Sequence, residues 1–473
     1  MATSARKEAQ ALATDQEAEV REMLVLALLS YRGFQDVTVP LADIPRLRGA
    51  IDRGLAQLEP VKGRWEIVWG PASYRAPFSL FDSTMMYVVR EIAAPHRYVI
   101  VIRGTNPASV FDWLFGDLWA ARQIPWPHGG ERARDAKVSF SSALGLSTLK
   151  HLRSTGPSSG IAAGLWRFID EDVGGRLRAA TEAVLDPIRD VATALGDRMR
   201  GRVRGLTEAL IADERARAAA TTPDLAARIK LILAARRSRT RRDLLEFIDA
   251  AIDRIGDRRM LDAYALLDDT SWIGARLQVG QDVRTFLAAA VAHAEQPIQV
   301  TVTGHSKGGA LASTTALWLA DTQGTEVPPA EQWDPNATAE VRCFSFAGPT
   351  AGNEAFAHHS NATLGANCVR TINTKDIVPH AWTSTDLEEI PALYQPGVHH
   401  IGAIDDLIKE IVADQTEQKL DYAHPDVERR IEGRIDLGRP LFFDQLVYQH
   451  MEAYLHGLGL TGLNTETFFG PLD

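Results

Sequence analysis

At Gly304-His305-Ser306-Lys307-Gly308 a serine is flanked by glycines two positions away on either side. This G-x-S-x-G spacing suits a hydroxyl that must attack a carbonyl. The serine has to project from a tight, strained turn between a strand and a helix. Glycines there let neighbouring backbone approach without a Cβ in the way. The amides at the start of the following helix then face the place where an oxyanion forms. The context fits, because IQVTVT before the motif reads as a strand and ALASTTALWLA after it reads as a helix. The competing reading is an ordinary glycine-rich turn.

A serine hydroxyl needs a base, and the base needs an orienting carboxylate. On G-x-S-x-G scaffolds the chain order is Ser, then Asp or Glu, then His. Asp376, in CVRTINTKDIVPH, stands just past a strand-like run, where such acids are placed. Asp405 and Asp406, in GAIDDLIKE, read instead as ordinary residues at the start of a helix. For the base, YQHMEAYLHGLG offers His450 and His456. Six residues apart on a helix, they lie on different faces, so at most one serves, and spacing alone does not choose between them. His380, His399 and His400 come earlier and suit the order less well.

The elements that must position these residues are visible in the patterning. The chain has 473 residues, which predicts one large domain with an insertion, or two domains. Residues 1–150 mix helix and strand signals: EVREMLVLALLSYRG reads as an amphipathic helix ended by Gly33. STMMYVVRE and HRYVIVIRG read as two strands joined by a short turn. Residues 151–290 read as a helical insertion, with apolar residues from Leu177 to Leu210 recurring at threes and fours. Residues 291–473 return to strand–helix alternation, with IQVTVTG, VRCFSFAG and CVRTIN as buried strands of a parallel sheet. The fold class expected is therefore α/β.

Composition excludes several roles. A net charge of −10 argues against nucleic acid as a partner. The polar N-terminus lacks a signal-peptide core and no run of about eighteen apolar residues occurs, so a cytoplasmic protein is the default, with signal-independent export open. Two cysteines, Cys343 and Cys368, do not make a disulfide framework in a chain this long and are expected as small buried core residues.

Five segments together resemble the class 3 lipases, the fungal-lipase-like branch of the α/β-hydrolases: VIVIRGTNPASVFDWLFGDL, VTVTGHSKGGALAS, FSFAGPTAGN, TINTKDIVPH and HMEAYLHGL. The resemblance covers roughly 20–150 and 290–465. It implies an α/β-hydrolase fold with a mainly parallel central sheet flanked by helices, here carrying a large helical insertion. It implies a triad of Ser306, Asp376 and His450. In that family a strand ending in Arg-Gly-Thr supplies an oxyanion-hole residue ahead of an Asp-Trp pair, matching Thr105 with Asp112-Trp113, and the amide of Lys307 would be the second donor. The implied activity is hydrolysis of lipid carboxylesters, of the triacylglycerol lipase or phospholipase A1 kind, without metal or cofactor. A small-ester esterase or thioesterase, and a non-catalytic lipid-binding protein on the same fold, are the alternatives.

Two departures stand out. Leucine usually follows the nucleophile in that family, and Lys307 replaces it, either as an exposed or paired lysine, as a cation for an anionic substrate group such as a phosphate, or as a tether to the lid. The second is the insertion. GIAAGLWRFID, with Trp166 and Phe168, is a candidate cover for the site or simply a packed helix. LAARIKLILAARRSRTRR is a basic amphipathic segment, either a contact for a membrane or lipid-droplet surface or one helix of a bundle with solvated arginines.

Overall fold

The computed structural model describes residues 2–33, 44–74, 84–104, 122–154, 280–329, 331–398, 401–425 and 427–469. Thr105, Asp112, Trp113, His399, His400, Trp166, Phe168, the apolar stripe from Leu177 to Leu210 and the basic segment 225–242 lie outside the described residues.

The five strands predicted from the sequence join two that were not, the first and the last, in one seven-stranded sheet: β1 (Trp65–Tyr74), β2 (Thr84–Glu91), β3 (Arg97–Ile102), β4 (Gln299–His305), β5 (Glu340–Phe346), β6 (Cys368–Asn373) and β7 (Glu428–Ile431). Spatial order follows chain order. β1 to β3 pair antiparallel, and β3 to β7 pair parallel. The mainly parallel sheet with helices on both faces is the α/β-hydrolase architecture expected.

Both faces of the sheet are apolar because both are covered. On β3, Tyr98, Ile100 and Ile102 point into one core, and Val99 and Val101 point into the other. The first core packs against α3 (Phe140–His151), α4 (Val283–His293), α5 (Lys307–Asp321) and α6 (Glu354–Thr363). The second packs against α1 (Ala2–Leu29), α2 (Ile44–Gln57) and the C-terminal segment from Met451 to Phe469. The Val/Thr alternation of β4 has the same origin. Val300 and Val302 enter the first core, while Thr303 on the α1 side donates from Oγ1 to the carbonyls of Met23, at 3.2 Å, and Phe344, at 3.0 Å.

One expectation is corrected. The end of α1 is not amphipathic: every residue from Met23 to Leu29 is at most 1% exposed. A helix that is apolar all round is a buried helix, and this one lies between β4 and the C-terminal segment. Gly33 does end the turn that follows, with φ 74°. Cys343 and Cys368 are free, buried and paired in register across β5 and β6, as small core residues.

A third core gathers the loop after β6 against α7 (Gly402–Gln418) and α8 (Phe442–His450), through Ile377, Val378, Trp382, Leu407 and Leu446. It fixes the distance between the ends of β6 and α8.

Candidate active site

Ser306 sits where β4 gives way to α5, with φ 63° and ψ −133°. A residue with a Cβ is strained there, typically by about 1–3 kcal/mol. The backbone around it explains both glycines of the motif. A Cβ on Gly304 would lie 2.1 Å from the carbonyl oxygen of Gly308, and one on Gly308 would lie 2.4 Å from that of Ile102. The chain therefore turns in a space that admits no side chain at either position. The turn is pinned where Ser306 N–H donates to Phe346 O, at 2.9 Å.

Ser306 occupies the N-cap position of α5, but its side chain makes no capping hydrogen bond. Serine at that position ordinarily spends its hydroxyl on an amide of the first turn. Here Oγ is buried without a hydrogen-bond partner among the described residues, and the same holds for Nε2 of His450.

Asp376 lies three residues beyond β6, in a turn where its own N–H donates to Asn373 O at 2.9 Å. Its carboxylate is completely buried and its oxygens are partnered: Val378 N–H donates to Oδ1 at 3.0 Å, and Oδ2 accepts from Tyr454 Oη and from His450 Nδ1, both at 2.9 Å. Because a carboxylate only accepts, His450 Nδ1 carries the proton, and in the neutral ring Nε2 is left with its lone pair. A buried carboxylate and an oriented imidazole thus stand together, and the unpartnered hydroxyl of Ser306 belongs to the residue after His305, whose ring lies 4.7 Å from that of His450.

His450 is the last residue of α8, and Asn373 at the end of β6 holds that terminus by donating from Nδ2 to Gln449 O at 2.8 Å. Tyr454, on α9 (Glu452–Gly457), is buried and receives the Asn373 amide at 3.0 Å while donating to Asp376. Burial pushes its phenol well up, and the Asp376 charge adds to this, so it remains a donor.

The structure separates the competing residues. His456 is exposed and has Tyr448 Oη 3.5 Å away. His380 bonds the backbone oxygen of Asp376 at 2.7 Å, not its carboxylate. Asp405 lies in the first turn of α7, as its sequence context predicts. Thr105 lies outside the described residues, but its neighbour Gly104 is packed so closely on the serine turn that a Cβ there would be 2.9 Å from Ser306 Cβ. Lys307 opens α5 and lines a cavity with Ser139, Ser141, Ser142, Thr350 and Trp382. No group of three or more His, Cys, Asp or Glu side chains stands ready for a metal among the described residues.

Two residues escaped the sequence reading. His305, inside the motif, is fully buried, with Nδ1 3.1 Å from Tyr31 Oη and Nε2 2.8 Å from His450 O. Tyr31 follows α1 and gave no signal, since 274 residues separate it from His305.

Comparison with known proteins bears on this site. The lipase (class 3) family model matches residues 247–385, which hold Ser306, Lys307 and Asp376 but not His450. Over those residues the chain is similar to the class 3 lipases. Phospholipase A1-II 6 of Oryza sativa subsp. japonica is 27% identical over 215 residues, covering 44% of this chain and 43% of that protein. The chloroplastic phospholipase A1-Igamma3 of Arabidopsis thaliana is 32% identical over 122 residues, covering 25% of this chain and 22% of that protein. The chain thus spans less than half the length of these curated relatives. The crystal structure of M37 lipase is similar over 95% of this chain and 96% of that one, with a TM-score of 0.62 and 24% identity, a likeness of fold.

Proposed function

We propose that this protein is a class 3 lipase-like serine hydrolase of lipid carboxylesters, with Ser306 as nucleophile, His450 as general base and Asp376 as its orienter. The observation that carries this reading is the buried Asp376–His450 hydrogen bond beside a strained serine whose hydroxyl is not used for capping. In the reaction, His450 Nε2 takes the Ser306 proton as Oγ attacks the ester carbonyl. The tetrahedral oxyanion is held by the amide of Lys307 and by Thr105. The C–O bond to the alcohol breaks, and His450 returns the proton to that leaving oxygen. Water, deprotonated by His450, then releases the fatty acid and restores the serine. Asp376 keeps the imidazole in the tautomer that presents Nε2 and stabilises its charged form.

Lipid esters are supported as substrates by the family and by relatives named phospholipases A1. A substrate panel of p-nitrophenyl esters of increasing chain length, emulsified triacylglycerol and phospholipid vesicles tests the reading, with Ser306→Ala as control. The expected result is turnover of long-chain or vesicle substrates that Ser306→Ala abolishes. Comparable turnover by the substituted protein would rule out Ser306, and activity confined to short soluble esters would favour a small-ester esterase.

A further inference from the structure

We infer that His305 and Tyr31 act as a positioning relay that fixes the backbone of His450 and the end of β3 on the two sides of Ser306. The inference rests on the hydrolase reading above and adds to it two residues outside the triad.

His450 ends α8, so its carbonyl is one of those for which a helix supplies no partner. It is buried, and Nε2 of His305 lies 2.8 Å from it. A carbonyl only accepts, so Nε2 of His305 carries the proton. In the neutral ring Nδ1 is then an acceptor, and Tyr31 Oη, 3.1 Å away, donates to it. The same hydroxyl lies 3.3 Å from the His305 carbonyl and is packed against Gly104, the residue before Thr105. A hydrogen-bonded series thus runs from Tyr31 through His305 to the His450 carbonyl, with Gly104 packed against its Tyr31 end. It ties the strand that leads into the proposed oxyanion hole to the residue proposed as base. Tyr31 is wedged there: it stacks on Phe469 at 4.9 Å, and a Cβ on Gly104 would lie 2.4 Å from its hydroxyl.

A histidine ring is fixed only when both ends of the residue are fixed. Asp376 holds the Nδ1 end of His450, and His305 holds its backbone end. The relay must also stay neutral, because the two rings lie 4.7 Å apart and His450 becomes cationic in the proposed cycle. Burial, reinforced by the charge of His450, holds His305 well below the usual histidine range. It therefore remains a neutral donor while its neighbour takes up and releases the proton.

The test compares His305→Leu, His305→Gln and Tyr31→Phe with wild type, with rates expressed per molecule titrated by a fluorophosphonate. A misplacement of about 1 Å at the reacting groups costs on the order of 10²-fold. His305→Leu is expected to lower kcat by roughly that factor with KM little changed. His305→Gln, which keeps an N–H near the position of Nε2, is expected to recover most of the loss. Tyr31→Phe, a milder change that keeps the ring packing, is expected to lower kcat about tenfold, a smaller loss because the bond to His450 stays intact. Variants that lose thermal stability to the same degree while each keeps wild-type kcat would overturn the relay, as would equal losses in His305→Leu and His305→Gln. Wild-type protein that is not labelled at Ser306 would instead overturn the hydrolase reading on which the relay depends.

Discussion

Oγ of Ser306 and Nε2 of His450 are buried polar atoms without partners among the described residues, in a neighbourhood where Asp376, Asn373, Tyr454 and His305 are all hydrogen-bonded. Leaving a buried polar atom unpaired typically costs about 1–3 kcal/mol, so two of them in one site call for an explanation. The proposed chemistry supplies it, because Oγ is kept for the ester carbonyl and Nε2 for the proton that Oγ gives up. The role assigned to Asp376 yields a prediction at this scale. Asp376→Asn keeps the shape but can donate to His450 Nδ1, which favours the wrong tautomer. It should lower kcat by about 10³–10⁴-fold with a small effect on KM, measured by steady-state ester hydrolysis. An unchanged kcat would remove Asp376 from the mechanism. Of these residues, the serine and the acid were legible, because a strand-turn-helix context and chain order single them out. The choice of His450 over His456 was not decided by spacing. It came from family resemblance, and the Nδ1 bond to Asp376 is the physical reason that separates the two. His305 and Tyr31 were illegible because their contacts depend on how α1 meets the end of β4.

The elements place the site through close backbone contact. β3, β4 and the start of α5 approach so tightly that Gly104, Gly304 and Gly308 each sit where a Cβ would meet an atom of a neighbouring segment within 2.4 Å. Gly304→Ala should therefore displace the serine turn. The expected outcome is a loss of roughly 1–3 kcal/mol in denaturant unfolding, together with loss of fluorophosphonate labelling. An alanine variant with wild-type stability and labelling would contradict this account of the motif. At this scale the sequence was most informative where period and burial agree. The hairpin of β2 and β3 and the parallel strands β4 to β6 lie where their β-branched runs placed them. The misjudged element is α1, since the spacing of Val20, Leu24 and Leu28 marks one apolar face but does not reveal that the opposite face is buried as well.

Across the whole molecule, α1 is held to the sheet by charged as well as apolar contacts. Glu19 pairs with Arg97 at 3.1 Å and Arg342 at 2.6 Å, Glu91 pairs with Arg64 at 2.9 Å and Arg97 at 2.6 Å, and Glu22 contacts Arg64. Burial pushes the Glu22 carboxyl from 4.5 up to about 7, and the charge of Glu91 adds to this against the opposing pull of Arg64 and Arg97. The folded state thus binds a proton more tightly than the unfolded chain. The associated stability is complete below the unfolded value and is lost as pH rises through about 7. At about 1.4 kcal/mol per pH unit, the span from 4.5 to about 7 corresponds to an upper figure of about 3 kcal/mol. Urea unfolding of wild type and Glu22→Gln across pH 4 to 8 should show the wild type losing stability relative to the variant as pH rises. Parallel curves would mean that Glu22 is ionised in the folded protein throughout. No helix among the described residues is long and apolar enough to cross a membrane.

The central claim is that Ser306 is a nucleophile made reactive by His450 and Asp376. Its most direct measurement is the intact mass of the protein after incubation with a fluorophosphonate, followed by peptide mapping of the adduct. The account predicts one phosphonyl group per chain, carried by Ser306, formed in wild type and absent in Ser306→Ala. Wild-type protein that stays unmodified, or an adduct that maps elsewhere and survives in Ser306→Ala, would contradict it.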